Sequence, residues 1–170
     1  MHAKQLERLL AALGANPSAI DVVTRKLRAG FDLKTGGRGL NAHDLTNAEV
    51  SWIVAAYAGS EVAAKADAAL ARLMELKGVG EKFMHSGDFL TSLQLILAEP
   101  KAAYQVSEVR VCRNLPRAEI HYKDGTKEKF VPAKDRANGE GFGNAIYRSE
   151  GVLSAGLIQQ LAIELGGVND

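Results

Sequence analysis

Residues 6–30, LERLLAALGANPSAIDVVTRKLRAG, contain two short amphipathic segments separated by a glycine. Gly14 stands where a first helix would end, and Pro17 suits the first turn of a second helix that runs to Gly30. Each segment carries apolar residues at helical spacing, which are Leu6, Leu9, Leu10 and Leu13 in the first and Ile20, Val23 and Leu27 in the second. The stretch therefore predicts two helices joined by a tight turn.

A twenty-residue window from Leu6 to Arg25 tests whether this pair is a helix-turn-helix unit, with which many regulators present a helix to the DNA major groove. Such units generally have a glycine in the turn and apolar residues at five fixed window positions. The chain matches all six positions, with Leu9, Leu13, Gly14, Ala15, Ile20 and Val23. It departs from the pattern at the fifth position of the window, usually a small residue, which is Leu10.

If the second helix faces DNA, its polar side chains become candidate contacts. Arginine donates to guanine edges or clamps phosphates, and hydroxyl groups donate to phosphate oxygens. The glycine-rich loop 33–41, LKTGGRGLN, would act as a wing or arm whose backbone approaches phosphate closely. Asp21 would repel phosphate unless it accepts from a cytosine amino group or pairs with Arg25, four residues later on the same face. The predicted DNA-binding residues are Ser18, Thr24, Arg25, Arg28, Lys34 and Arg38.

The same residues also fit a helical hairpin with a purely structural role. Short amphipathic helices joined at a glycine are common, and the helix dipole favours Lys and Arg near a C-terminus. The formal net charge of the 170-residue chain is only +1, so no global field favours nucleic acid or an anionic membrane. Any DNA contact must therefore come from a local surface.

The rest of the chain predicts more helices followed by a small sheet. Thr46 and Glu49 have the spacing of a capping box, which predicts a helix beginning there. We expect an alanine-rich helix over 61–77, a helix over 88–98 and a final helix over 153–165. Alternating β-branched and polar residues predict antiparallel strands over 107–114, 117–123 and 126–132.

The apolar pattern of the last two strands predicts the length of the turn between them. A three-residue loop, Lys123-Asp124-Gly125 with a left-handed glycine, puts the apolar side chains of both strands on one face. Those side chains are Ala118, Ile120, Tyr122 and Phe130. The fold class predicted is α+β, with a helix-turn-helix over 1–45, a helical region over 46–100, and a three-stranded sheet plus C-terminal helix over 101–170 for dimerisation or partner binding.

Motifs of catalysis are not found in the sequence. The four histidines have no His or Cys at metal-ligand spacing, and Cys112 has no activating neighbour. The loop TGGRG (35–39) lacks the Lys-Ser/Thr of a nucleotide-binding loop, and GEGFGNA (139–145) lacks the strand and helix of a dinucleotide fingerprint. We therefore predict a non-enzyme without catalytic residues, metal or cofactor.

The cysteine count and the N-terminal residues bear on location. A lone cysteine suits a reducing cytosol, and charges interrupt the apolar positions of residues 1–18, which fits neither a signal peptide nor a membrane span. The expected location is cytoplasmic, without membrane association.

Residues 13–49, including LRAG, GGRG and LT, resemble winged helix-turn-helix proteins and small proteins encoded in phages and prophages of proteobacteria. The resemblance covers about residues 5–50. It implies a phage or prophage transcriptional regulator that binds double-stranded DNA, and a homodimer would read two half-sites. The order of segments is also similar to small terminase subunits, which recognise packaging sites and form rings. A third hypothesis is a phage-encoded protein-binding module or inhibitor of a host system, working through helix 61–77 or a sheet edge.

Overall fold

The computed structural model describes residues 1–31, 33, 43–79, 85–138 and 149–166, and it has the predicted α+β architecture. The helices in these ranges are α1 (Ala3–Ala12), α2 (Pro17–Phe31), α3 (Asn47–Gly59), α4 (Ala66–Met74), α5 (Phe89–Ala98), α6 (Pro100–Gln105) and α7 (Ala155–Gly166). Short 3-10 helices occupy Ala63–Lys65 and Ala133–Asn138.

One antiparallel sheet forms the other layer. Its strands are β1 (Leu76–Gly78), β2 (Val106–Cys112), β3 (Ala118–Tyr122), β4 (Lys127–Pro132) and β5 (Glu150–Ser154). The strand order is β1-β4-β3-β2-β5, so β1 and β5 stand at the two edges.

Local signals in the sequence set several element boundaries as predicted. Gly14 follows α1 with a φ of 95°, a left-handed conformation that glycine adopts without strain. Thr46 caps α3, because its hydroxyl oxygen accepts from the Glu49 N–H at 3.2 Å while the Glu49 carboxylate accepts from the Thr46 N–H at 2.7 Å. The predicted capping box is therefore confirmed.

The β3–β4 hairpin has the predicted register. Ala118 lies opposite Phe130, and Gly125 in the loop has a φ of 87°. The Asp124 carboxylate accepts from the hydroxyl and the N–H of Thr126 at 2.6 and 2.9 Å, and these bonds lower the pKa of Asp124. The three-residue loop is confirmed.

Two sequence predictions about the sheet and its neighbours were wrong. The sheet has five strands among the described residues, where the sequence predicted three. The prediction of a helix over 61–77 is also wrong. α4 covers only Ala66–Met74, and Leu76–Gly78 pairs with β4 as an edge strand. Leu76 continues the helical spacing of the preceding leucines, but its backbone forms sheet pairs with Pro132 instead, and a three-residue strand has too few residues to show alternation.

The core is one hydrophobic cluster that draws residues from all three predicted segments. α3 lies at its centre and contacts α2, α4, α5, β2 and β5. Its buried side chains therefore surround most of the helix, and they include Val50, Ser51, Ile53, Val54, Ala55, Ala56 and Ala58.

Candidate nucleic-acid interface

The turn between α1 and α2 fixes the start of α2. The side-chain oxygen of Asn16 accepts from the N–H groups of Ser18 and Ala19 at 3.0 and 3.3 Å, which satisfies two of the free donors at the helix N-terminus. The Asn16 N–H donates to the Tyr57 hydroxyl at 3.1 Å. Since Tyr57 belongs to α3, this bond ties the turn to the central helix.

The inner side of α2 packs on α1, α3 and α4. Ile20, Val23 and Leu27 are fully buried there, and Thr24 is 3% exposed. The Thr24 hydroxyl donates to the Ile20 carbonyl oxygen at 2.9 Å. The prediction that Thr24 contacts DNA from an outward face is therefore wrong, because this bond within the helix satisfies its hydroxyl and the residue lies on the packed side.

The outer side of α2 carries the other predicted contacts that the structure describes. Ser18 and Arg25 are exposed, and Arg28 is partly exposed. Of the two roles considered for Asp21, the structure shows the ion pair with Arg25, with 2.7 Å between Asp21 Oδ2 and an Arg25 terminal nitrogen. Because the two side chains are 53% and 64% exposed, solvent screens this pair and leaves Arg25 able to exchange partners.

The charge on this outer side is positive. Lys26, which was not selected from the sequence, is also exposed, so α2 carries three exposed or partly exposed cations and one acid. In the described part of the chain, neither Lys26 nor Arg28 forms an ion pair. Arg28 lies in the last turn of α2, where the helix dipole also favours a cation. Small side chains, Ser18 and Ala29, lie on the same exposed side.

Some predicted features lie outside the described residues. Lys34 and Arg38 are among them, as are the loops TGGRG and GEGFGNA. Within the residues that the structure describes, the candidate interface therefore consists of α1, α2 and the turn between them.

The sheet carries a charged cluster that the sequence analysis did not select. His121 Nε2 lies 2.7 Å from a Glu119 carboxylate oxygen, and His121 Nδ1 lies 3.5 Å from Glu108. Arg110 contacts the same Glu108 carboxylate at 2.6 Å, and this hydrogen-bonded contact raises the pKa of Arg110. Glu108 and Arg110 are two residues apart on β2, as are Glu119 and His121 on β3, and the strand register brings the two pairs together. Within the described ranges, no three His, Cys, Asp or Glu side chains are placed to hold a metal ion.

The fold and the outer face of α2 together define an α+β protein with a basic helical hairpin, α1–α2, at its surface. Comparison of the chain with family models, with curated proteins and with solved structures finds no match. None of the helices in the described ranges has the length and apolar character needed to cross a membrane.

Proposed function

We propose that this chain binds double-stranded DNA through the outer face of α2 and acts as a phage or prophage transcriptional regulator. The observation that carries the proposal is the division of α2 into two sides. One side is buried against three helices, and the other presents Arg25, Lys26 and Arg28, with Asp21 as the one acid within α2. A rigidly held helix with a local positive face suits entry into a DNA groove.

Each exposed side chain has a role in this proposal. Arg25 and Arg28 bind phosphates or guanine edges, and Lys26 binds phosphate as a point charge. Ser18 sits in the first turn of α2, where its hydroxyl donates to a phosphate oxygen. Lys34 and Arg38 remain proposed contacts of the adjoining arm. The role is binding without catalysis.

We further propose a homodimer, since one small helical module reads too few base pairs for specificity. A twofold pair of α2 helices would contact half-sites about one DNA turn apart, roughly 34 Å. A ring larger than a tetramer, seen by light scattering, would instead favour the terminase-like alternative.

Fluorescence anisotropy tests the DNA interface. Wild type and the Arg25→Ala/Arg28→Ala variant are titrated into a labelled random-sequence duplex over a series of salt concentrations. Because each phosphate contact contributes about 0.9 to the slope of log affinity against log salt, we expect the variant to lose roughly 1.8 from that slope. A matched variant, Lys101→Ala/Lys134→Ala, removes two exposed cations from other surfaces and should keep the wild-type slope.

The outcomes separate the interpretations. An unchanged slope in the Arg25→Ala/Arg28→Ala variant, with its fold verified by circular dichroism, would exclude this face of α2 as the DNA contact. Equal losses in both variants would show general charge attraction only. Lack of binding even at low salt would leave the hairpin as scaffold and favour a protein-binding module.

A further inference from the structure

A groove runs along β5, on the opposite edge of the sheet from β1. Its central cavity, about 190 Å³, lies between the α1–α2 turn and β5. Leu13 and Ala15 line one wall, Gly151–Ser154 line the other, and Tyr57 lines the cavity from α3. Leu13 and Val152 are 47% and 52% exposed, so two large apolar side chains at this groove remain in contact with water.

Among the described residues, β5 is an edge strand whose only strand partner is β2. The Arg113 N–H donates to the Ser149 carbonyl at 2.8 Å, which identifies 149, 151 and 153 as the residues bonded to β2. The N–H and C=O of Val152 therefore point away from β2. No strand among the described residues pairs with β5 on that side. Such an edge accepts a further strand.

One end of the groove is basic. Arg113 lines the central cavity and also two adjoining ones, which Lys65, Arg72 and Glu61 help to form. Arg113 Nε donates to the Ala58 carbonyl at 3.1 Å, and Arg72 donates to the Arg113 carbonyl at 3.2 Å. Neither arginine, nor Lys65, forms an ion pair in the described ranges. A partly buried arginine without a carboxylate favours an anionic ligand, because its desolvation is not offset by an opposite charge.

We propose that this groove binds an extended peptide segment of another protein, which adds a strand to β5. An aliphatic side chain of the peptide occupies the cavity, and a carboxylate about four residues away, on the same face of the strand, binds Arg113, Arg72 and Lys65. The spacing follows from the strand register, since Arg113 lies opposite Ser149, four residues from Leu153, and the side chains of 149 and 153 lie on the same face of β5. Main-chain hydrogen bonds supply affinity in this mode, and the cavity and cations supply specificity.

The features of the groove favour a peptide over a simple anion or DNA. Inorganic phosphate would bind only the cationic side chains of the groove. A DNA backbone has no aliphatic side chain to fill the cavity and no peptide groups to hydrogen-bond with β5. The site does not depend on the proposed DNA interface, because peptide binding is measured without DNA.

The test uses two pools of fluorescein-labelled hexapeptides with mixed Ser, Thr and Val at the open positions. The first pool has leucine at position 2 and glutamate at positions 5 and 6, and the second replaces both glutamates with lysine. We expect the glutamate pool to bind at least tenfold more tightly. Arg113→Gln should weaken that binding at least tenfold, and the exposed pair Lys65→Gln/Arg72→Gln should also weaken it several-fold. Lys101→Gln, on α6, should have no effect.

Two measurements check the strand geometry. Val152→Pro removes the outward N–H without touching the β2 ladder, so it should abolish peptide binding while preserving the fold. Hydrogen exchange of wild type should show the Val152 amide becoming protected when the glutamate pool is added. Equal binding of both pools, lack of binding at 1 mM peptide, or full binding by both Arg113→Gln and Lys65→Gln/Arg72→Gln would overturn the proposal.

Discussion

Gly151 of β5 lies directly against the carbonyl oxygen of Ala58 in α3, and a side chain at position 151 would overlap that oxygen. The contact brings the end of the central helix onto the sheet backbone. Gly151→Ala must push the two elements apart, so we expect a loss of about 3 kcal/mol in the free energy of unfolding, measured with urea.

Gly156→Ala is the matched control for this substitution. Gly156 lies in α7, five residues along the chain, and a Cβ there meets no atom within 4 Å. Alanine should therefore stabilise the helix by up to about 1 kcal/mol. Similar urea midpoints for the two variants would show that α3 and β5 are not in close contact.

The capping box at the start of α3 gives a second prediction. Thr46→Ala removes the oxygen that accepts the Glu49 N–H, so we expect a loss of about 1 kcal/mol in the free energy of unfolding. Thr91→Ala serves as the control, because Thr91 is an exposed residue within α5 and should be neutral or slightly stabilising. Equal stability of the Thr46→Ala variant and wild type in urea would argue against the cap.

The parts of the fold that were predicted from sequence are those decided by neighbouring residues. Gly14 ends a helix, Thr46 and Glu49 begin one, and Gly125 fixes a hairpin register through bonds within a few residues. The edge strands depend on distant pairing instead. Leu76 pairs with Pro132 and Val109 pairs with Leu153, so neither pairing is visible in local periodicity.

The site was predicted only in part, for a similar physical reason. Residue type suggested that Thr24 faces solvent, but packing against three helices buries it and its own helix satisfies its hydroxyl. The sequence pointed to a sheet edge as one candidate partner surface, but it did not predict the groove beside β5, because Leu13, Tyr57, Arg113 and Val152 come from four separate segments. A spacing rule cannot bring such residues together.

The buried side chain of Tyr122 in β3 gives a prediction about stability at alkaline pH. Tyr122 is 4% exposed, and burial together with the nearby Glu128 carboxylate raises the pKa of its phenol. The native state therefore holds this proton at pH values where the unfolded chain releases it. The contribution of this proton to the free energy of unfolding should be fully present below about pH 10. Above about pH 10 the free energy of unfolding should fall by up to about 1.4 kcal/mol per pH unit.

Urea unfolding at pH 9, 10 and 11 measures this loss. Tyr122→Phe has no phenolic proton at this position, so its stability should decline less over the same range. Tyr104→Phe is the control, since Tyr104 is 62% exposed on α6, and this variant should follow wild type. Parallel decline in all three proteins would contradict a raised pKa at Tyr122.

The Asp21–Arg25 pair on α2 gives a final prediction about DNA. Asp21 repels phosphate and also holds Arg25 at 2.7 Å. Asp21→Asn removes the repulsion and frees the guanidinium, so affinity for random-sequence duplex should rise about threefold to tenfold at low salt. Glu75→Gln removes an exposed acid after α4 and should change affinity by less than twofold. If Asp21→Asn binds no more tightly than Glu75→Gln in the anisotropy titration, then DNA does not lie along this face of α2.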